Sequence, residues 1–418
     1  MTEEASASLR QSPVALLVGV VAFVGLLTLL VGWALPLVIF LIILMVMGHE
    51  FGHFITAKRA GLLVTDFFVG FGPIIWSTTR GETRYGVRAL LLGGYVKVPG
   101  MTWGTPVDPA IEPRTYREAS YPKKVLFASA GSIMHLIMAL ALAWASLAFI
   151  GVPSSTHVGV LAFDAWQGHK ENAAQLAGLQ VGDQVVKVNG VTITNETQLA
   201  NLVHRSAGQR LTLLVDRSGH DLTLHATPVS GKTIKENGRS LSAGGYIGIQ
   251  VGDLSVHESV FAAVPHAFTQ IGTTVNEALH AIVHVFSPGE FSSLFHQVGS
   301  AKAATNVKNQ DTRPVSIVGV GRIAVEAANA GAGQLIAILV AVNIFVGVLN
   351  MLPMLPLDGG YVAIATYERL RTRRGGVRYH ADINKLAPVV YAFMGVLLVL
   401  FACTLYLDIA HPIANPFG

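Results

Sequence analysis

The sequence predicts an α-helical polytopic membrane protein with four core transmembrane helices, a further N-terminal helix, a membrane-associated β-hairpin and an inserted α+β domain. Three observations predict it. Only 13% of the 418 residues are charged and 51% are apolar, whereas soluble domains carry roughly 25% charge. Mean hydropathy is +0.52. The charged residues are gathered between apolar runs long enough to cross a bilayer.

Residues 13–47 contain no charge. As one helix they would be about 52 Å long at 1.5 Å per residue, against a hydrocarbon core of about 30 Å. Gly32-Trp33-Ala34-Leu35-Pro36 interrupts the run, so two segments are expected, about 13–31 and 35–57; one tilted or kinked helix is the alternative. Further spans are expected at about 125–151, 333–356 and 387–408. Orientation follows from Lys and Arg between them. Residues 58–124 hold ten basic and five acidic residues, and 368–385 hold six basic, among them Arg373, Arg374 and Arg378, and two acidic. Both loops are expected on the cytoplasmic side. Residues 152–330, with twelve basic and thirteen acidic residues, are expected outside. There the alternating runs 184–188, 211–215 and 222–225, bounded by Gly, Asn and Asp, read as short strands.

The expected layout is a tail and added helix at 1–34, a first membrane part at 35–151, an extracytoplasmic domain at 155–256, linker and membrane-surface helices at 257–332, and a second membrane part at 333–418. A net charge of +4 raises the question of nucleic acid, but the basic residues flank apolar spans rather than forming one face. Topology accounts for them, and no nucleic-acid partner is expected. The single cysteine, Cys403, lies in the last span and excludes an intrachain disulfide.

Chemistry enters at His49-Glu50-Phe51-Gly52-His53, which closes an apolar run. On a helix His49 and His53 share a face and can hold one Zn²⁺, with Glu50 placed to activate water. Ionisable groups at membrane depth are costly and mark function. A hydrolytic zinc site needs a third protein ligand. Asn350-Met351-Leu352-Pro353-Met354-Leu355-Pro356-Leu357-Asp358-Gly359-Gly360 offers Asp358 inside a late span, after two helix-breaking prolines and before a glycine pair that supplies backbone freedom. Apart from Glu50, the other carboxylate in an apolar segment is Asp408, near a helix end. Residues 85–97 are expected to form a re-entrant hairpin that turns at Gly93-Gly94 and offers a strand edge to an unwound substrate. Asn350 can add a side-chain amide to that task or bond a neighbouring helix. The ten histidines between His157 and His296, including His280 and His284 at helical spacing, read as solvent-facing.

Residues 177–190, Ala-Gly-Leu-Gln-Val-Gly-Asp-Gln-Val-Val-Lys-Val-Asn-Gly, resemble the stretch of a PDZ domain in which a glycine-marked turn leads into a core strand and an Asn-Gly hairpin. The His49 motif paired with the later Asp358-Gly359 motif resembles the site-2 protease family of intramembrane zinc metalloproteases, in its PDZ-containing bacterial branch and most like the actinobacterial members. Phe67-Phe68-Val69-Gly70-Phe71-Gly72-Pro73, Gly81-Glu82-Thr83-Arg84-Tyr85-Gly86-Val87, Leu92-Gly93-Gly94-Tyr95-Val96-Lys97 and Arg313-Pro314-Val315-Ser316 extend the likeness over most of the chain from about residue 35. The resemblance implies a bacterial cytoplasmic-membrane enzyme that cleaves single-span proteins such as anti-sigma factors already clipped by an upstream site-1 type protease. It also implies His49, His53 and Asp358 as zinc ligands, Glu50 as the base, and Asn350 as a contact to substrate backbone. The chain departs from the family where Ser132 and His135 stand after Ala130-Gly131 in place of the usual proline and asparagine. Two rival readings are a catalytically silent PDZ scaffold and a transporter; the second leaves the histidine motif and its distant aspartate without an explanation.

Overall fold

The structure, a computed structural model, describes residues 13–101, 107–164, 172–236, 239–240, 242–310, 312–372 and 379–417. The tail 1–12 and the loop arginines Arg373, Arg374 and Arg378 lie outside them. The chain divides into two compact units, one built from Met1–Ala143 and Pro265–Gly418, the other from Trp144–Val264.

The first unit opens with two separate helices, α1 (Pro13–Val31) and α2 (Ala34–Arg59). Gly32 divides them at φ +86°, a conformation glycine adopts without steric cost. Lys58 and Arg59 close α2, where cations suit the negative end of the helix dipole. Next come β1 (Asp66–Arg80) and β2 (Thr83–Lys97). Their tight turn is at Gly81-Glu82, with Arg80 opposite Thr83. Glu82 ties this turn down, accepting from Lys58 Nζ at 2.8 Å and from both terminal nitrogens of Arg114 at 2.8 Å.

The expected turn at Gly93-Gly94 is therefore corrected, since both glycines lie within β2. Phe67 pairs with both Tyr85 and Val96, and Phe68 with both Gly86 and Tyr95. Residues 66–69 thus sit between the two halves of β2. The glycines are needed here for space: a Cβ on Gly93 would strike the Phe71 ring, and one on Gly94 would strike Glu50. A glycine pair read for its turn propensity serves instead to let neighbours approach.

The helix α3 (Tyr121–Ala145) runs into a π-helical turn, Ser146–Ile150. After the second unit the chain returns through α6 (Ile317–Ala330), α7 (Ala332–Asn350), α8 (Asp358–Arg371) and α9 (Ala387–Ala410), numbered to follow the helices α4 and α5 described next. Four helices among the described residues are long and apolar enough to span a membrane: α2, α3 with its π turn, α7 and α9. Between 11% and 33% of each apolar window is buried within the protein, so most of that surface needs lipid around it. The span expected to reach 356 ends at Asn350. Pro353 and Pro356 keep the chain out of helix until Asp358, which begins α8 instead of lying inside a span.

The second unit is built on a six-stranded sheet. Its strands β3 (Val152–Phe163), β4 (Gln184–Val188), β5 (Leu211–Arg217), β6 (His220–Ala226) and β7 (Ile249–Val256) lie in the order β7-β3-β4-β5-β6, and the short strand Val191–Thr192 also pairs with β4. Leu211, Leu213 and Val215 point to one face, as strand geometry requires. They pack with Val160, Val185, Val188 and Leu199 of α4 (Glu196–Arg205) into a buried core. The helix α5 (Ala263–Val285) follows the sheet and from Pro265 onward belongs to the first unit.

Candidate metal centre

His49 and His53 lie one turn apart near the end of α2, so their rings share a face. The ring centroids are 4.9 Å apart at 74°, and the two Nε2 atoms are 3.2 Å apart. His53 Nδ1 donates to the Phe127 carbonyl of α3 at 2.8 Å. That bond fixes the tautomer and leaves the Nε2 lone pair pointing away from it. His49 lies against Gly131 of α3, where any Cβ would collide with the imidazole.

Asp358 reaches the histidines from the other half of the chain. Its Oδ2 lies 3.4 Å from Nε2 of both His49 and His53. As the first residue of α8 it also occupies the favourable end of a helix dipole. Gly359 and Gly360 work differently from expected. Neither has positive φ, and a Cβ on either would meet the backbone between Met351 and Leu355. They let the proline-broken segment fold closely onto the start of α8.

These three side chains could hold a metal ion, their donor atoms all lying within 4.8 Å of one another. A buried oxygen supplies the test of fit: among the described residues Asp358 Oδ2 has no hydrogen-bond partner. It faces the His53 nitrogen whose lone pair is left available. Two acceptors at this spacing repel unless a cation sits between them, and two imidazoles with one carboxylate form a zinc-binding set.

Glu50, next to His49, points to β2, where the backbone N–H of Val96 faces its carboxylate and Gly94 lies against its Cγ. Gly94 thus sits beside the metal-site helix. Gly93 packs on Phe71, and Asn350 closes α7 ahead of the broken segment. Sequence reasoning missed Asn343, which is 2% exposed. Its Nδ2 donates to the Leu339 carbonyl at 2.8 Å, and its Oδ1 lies 3.0 Å from His135 Nδ1. The signal was available, since Asn343 is the sole amide in the interior of an apolar span.

The description "Peptidase family M50" matches residues 37–397. Zinc metalloprotease Rip1 of Mycobacterium tuberculosis is 31% identical over 398 residues, covering 89% of this chain and 96% of that protein. A putative zinc metalloprotease of Nostoc sp., all3971, is 27% identical over 360 residues, 85% of this chain and 92% of its own. The probable membrane metalloprotease ARASP2, chloroplastic, of Arabidopsis thaliana is 25% identical over 364 residues, 84% of this chain and 75% of its own. With a match that runs from α2 into α9 and takes in both halves of the metal centre, this chain belongs to peptidase family M50, the site-2 protease family of zinc metalloproteases.

Proposed function

We propose that the protein is an intramembrane endopeptidase that cleaves the transmembrane segment of a single-span membrane protein. The observation that supports this most is the convergence of His49, His53 and the unpartnered Asp358 oxygen between membrane-grade helices. In this reading these three residues hold zinc. When bound, zinc supplies a Lewis acid that acidifies water and polarises the scissile carbonyl. Glu50 takes the proton from the attacking water and delivers it to the leaving amine. His53 keeps its ring orientation through the Phe127 carbonyl.

A substrate helix hides its peptide bonds and must unwind before attack. Residues 94–97 find their ladder partners, among the described residues, on one side, in 66–69. An extended substrate adding to this strand would lie beside Glu50, with Gly93 and Gly94 keeping the approach open. Asn350 holds substrate backbone with its side-chain amide.

The protein sits in the cytoplasmic membrane of a bacterium, with the metal toward the cytoplasmic face. The basic end of α2 and the positive loops after it support that orientation. The Trp144–Val264 unit is PDZ-like, a reading supported by the left-handed hairpin at Asn189 (φ 49°) and Gly190 (φ 84°). It excludes substrates whose outer domains have not yet been removed by a site-1 type protease, such as an anti-sigma factor that is still intact. Membrane-protein fragments compared between cells carrying wild-type and Glu50→Gln protein test the activity. A trimmed anchor should accumulate in the variant; identical fragment patterns would overturn the proposal. Deleting residues 160–230 tests the filter, which predicts cleavage of unclipped substrate, whereas a required receptor predicts no cleavage.

A further inference from the structure

His135 stands where the family usually has asparagine, and it is 2% exposed in an apolar helix. A buried imidazole is retained only when its polar atoms are accounted for. Asn343 Nδ2 is committed to the Leu339 carbonyl, so Oδ1 is the acceptor facing His135. His135 Nδ1 therefore carries the hydrogen, and the ring is held in one tautomer. The His135 ring lies against His49, with centroids 5.0 Å apart and planes inclined by 47°. One turn earlier on α3, Gly131 also lies against the His49 ring. One turn after Asn343 on α7, Gly347 makes room for His135; a Cβ there would be 3.0 Å from that of His135.

We infer that His135 and Asn343 form a positioning pair for the metal-binding ring of His49, linking α2, α3 and α7 through one buried contact chain. The ring of His135 limits how far His49 can tilt, and the bond to Asn343 fixes His135 in turn. The inference rests on the reading of His49, His53 and Asp358 as the zinc ligands.

Its test is zinc affinity of the full chain purified in detergent, measured by chelator competition, with the absorption spectrum of the cobalt-loaded protein as a second readout. His135→Ala and Asn343→Leu should each weaken zinc binding by about 10- to 100-fold, the range for groups that orient a metal-bound histidine. The double variant should be no worse than the weaker single, because both act through one bond. Both singles should alter the cobalt spectrum. Leu335→Ala, a packing lesion elsewhere on α7, should lower the melting temperature and leave zinc affinity unchanged. Wild-type affinity in either single, or a double variant that multiplies the two losses, would overturn the pairing. If His135→Ala does not fold, His135→Gln decides: it keeps a donor for Asn343 but lacks the ring against His49, so affinity should still fall, and wild-type affinity would refute the inference. His49→Ala separates the two levels. Zinc retained in that variant refutes the ligand reading itself; zinc lost there but held at full strength by His135→Ala refutes the pair alone.

Discussion

Two aspartates of the membrane-associated unit, the buried Asp408 and the half-buried Asp358, have opposite surroundings. Asp408, near the end of α9, accepts from Arg313 Nη2 at 3.0 Å and from the Ser316 N–H at 2.7 Å. Arg313 also donates to the His411 carbonyl at 2.9 Å. The side chains of this pair are 0% and 1% exposed. Asp358, at the start of α8, has no ion pair with a guanidinium among the described residues, and its Oδ2, without a hydrogen-bond partner there, faces two imidazole nitrogens instead. The comparison teaches how to separate anchoring from chemistry. A buried carboxylate supplied with its own cation pins one segment to another, while one that converges with lone pairs requires a cation from outside.

Four measurements can break or sharpen that contrast. The largest effect is expected from Asp358→Ala, which should abolish proteolysis and reduce bound zinc from about one per chain to none by elemental analysis. Full zinc content in this variant would remove Asp358 from the ligand set. Glu50→Gln should lower the cleavage rate roughly 10²- to 10⁴-fold while zinc content stays at wild type, separating proton transfer from metal binding. Asp408→Ala should do the reverse. It leaves Arg313 buried without its counter-charge, a loss of about 3–5 kcal/mol seen as a lower unfolding midpoint, with zinc stoichiometry intact; replacing both partners by apolar residues should recover much of the loss.

The smallest effect belongs to a third aspartate, in the other unit. Burial pushes the Asp183 carboxyl up, but hydrogen bonds from Arg217, at 2.7 Å, and from the Gln180 N–H outweigh burial and hold it below the usual carboxylate range. A depressed value in the folded state means a stabilisation present above the unfolded value of about 3.9 and lost as pH falls through the folded one. The unfolding midpoint of the second unit should therefore drop below about pH 4 in the wild type. Asp183→Asn should flatten that dependence; an unchanged profile would show that the pair contributes nothing.

The sequence by itself determined what depends on local spacing and on composition. His49 and His53 one turn apart, the break at Gly32, the apolar spans and the alternation along Leu211–Arg217 follow from helix and strand periodicity and from the cost of charge in lipid. Asp358 was recognisable because a carboxylate in an apolar region needs a partner. Its position at the start of a separate helix was not, because how far two prolines displace a chain depends on what it packs against. Gly93 and Gly94 were misread for a related reason: a glycine pair suits a turn and a close approach equally well, and the nearness of Phe71 and Glu50 decides between them. His135 stood out as a departure from the family pattern while Asn343 was missed, and their pairing joins positions far apart in the chain. Only the tertiary structure brings such positions within hydrogen-bonding distance, because that distance is set by helix packing, which no local rule of the sequence contains.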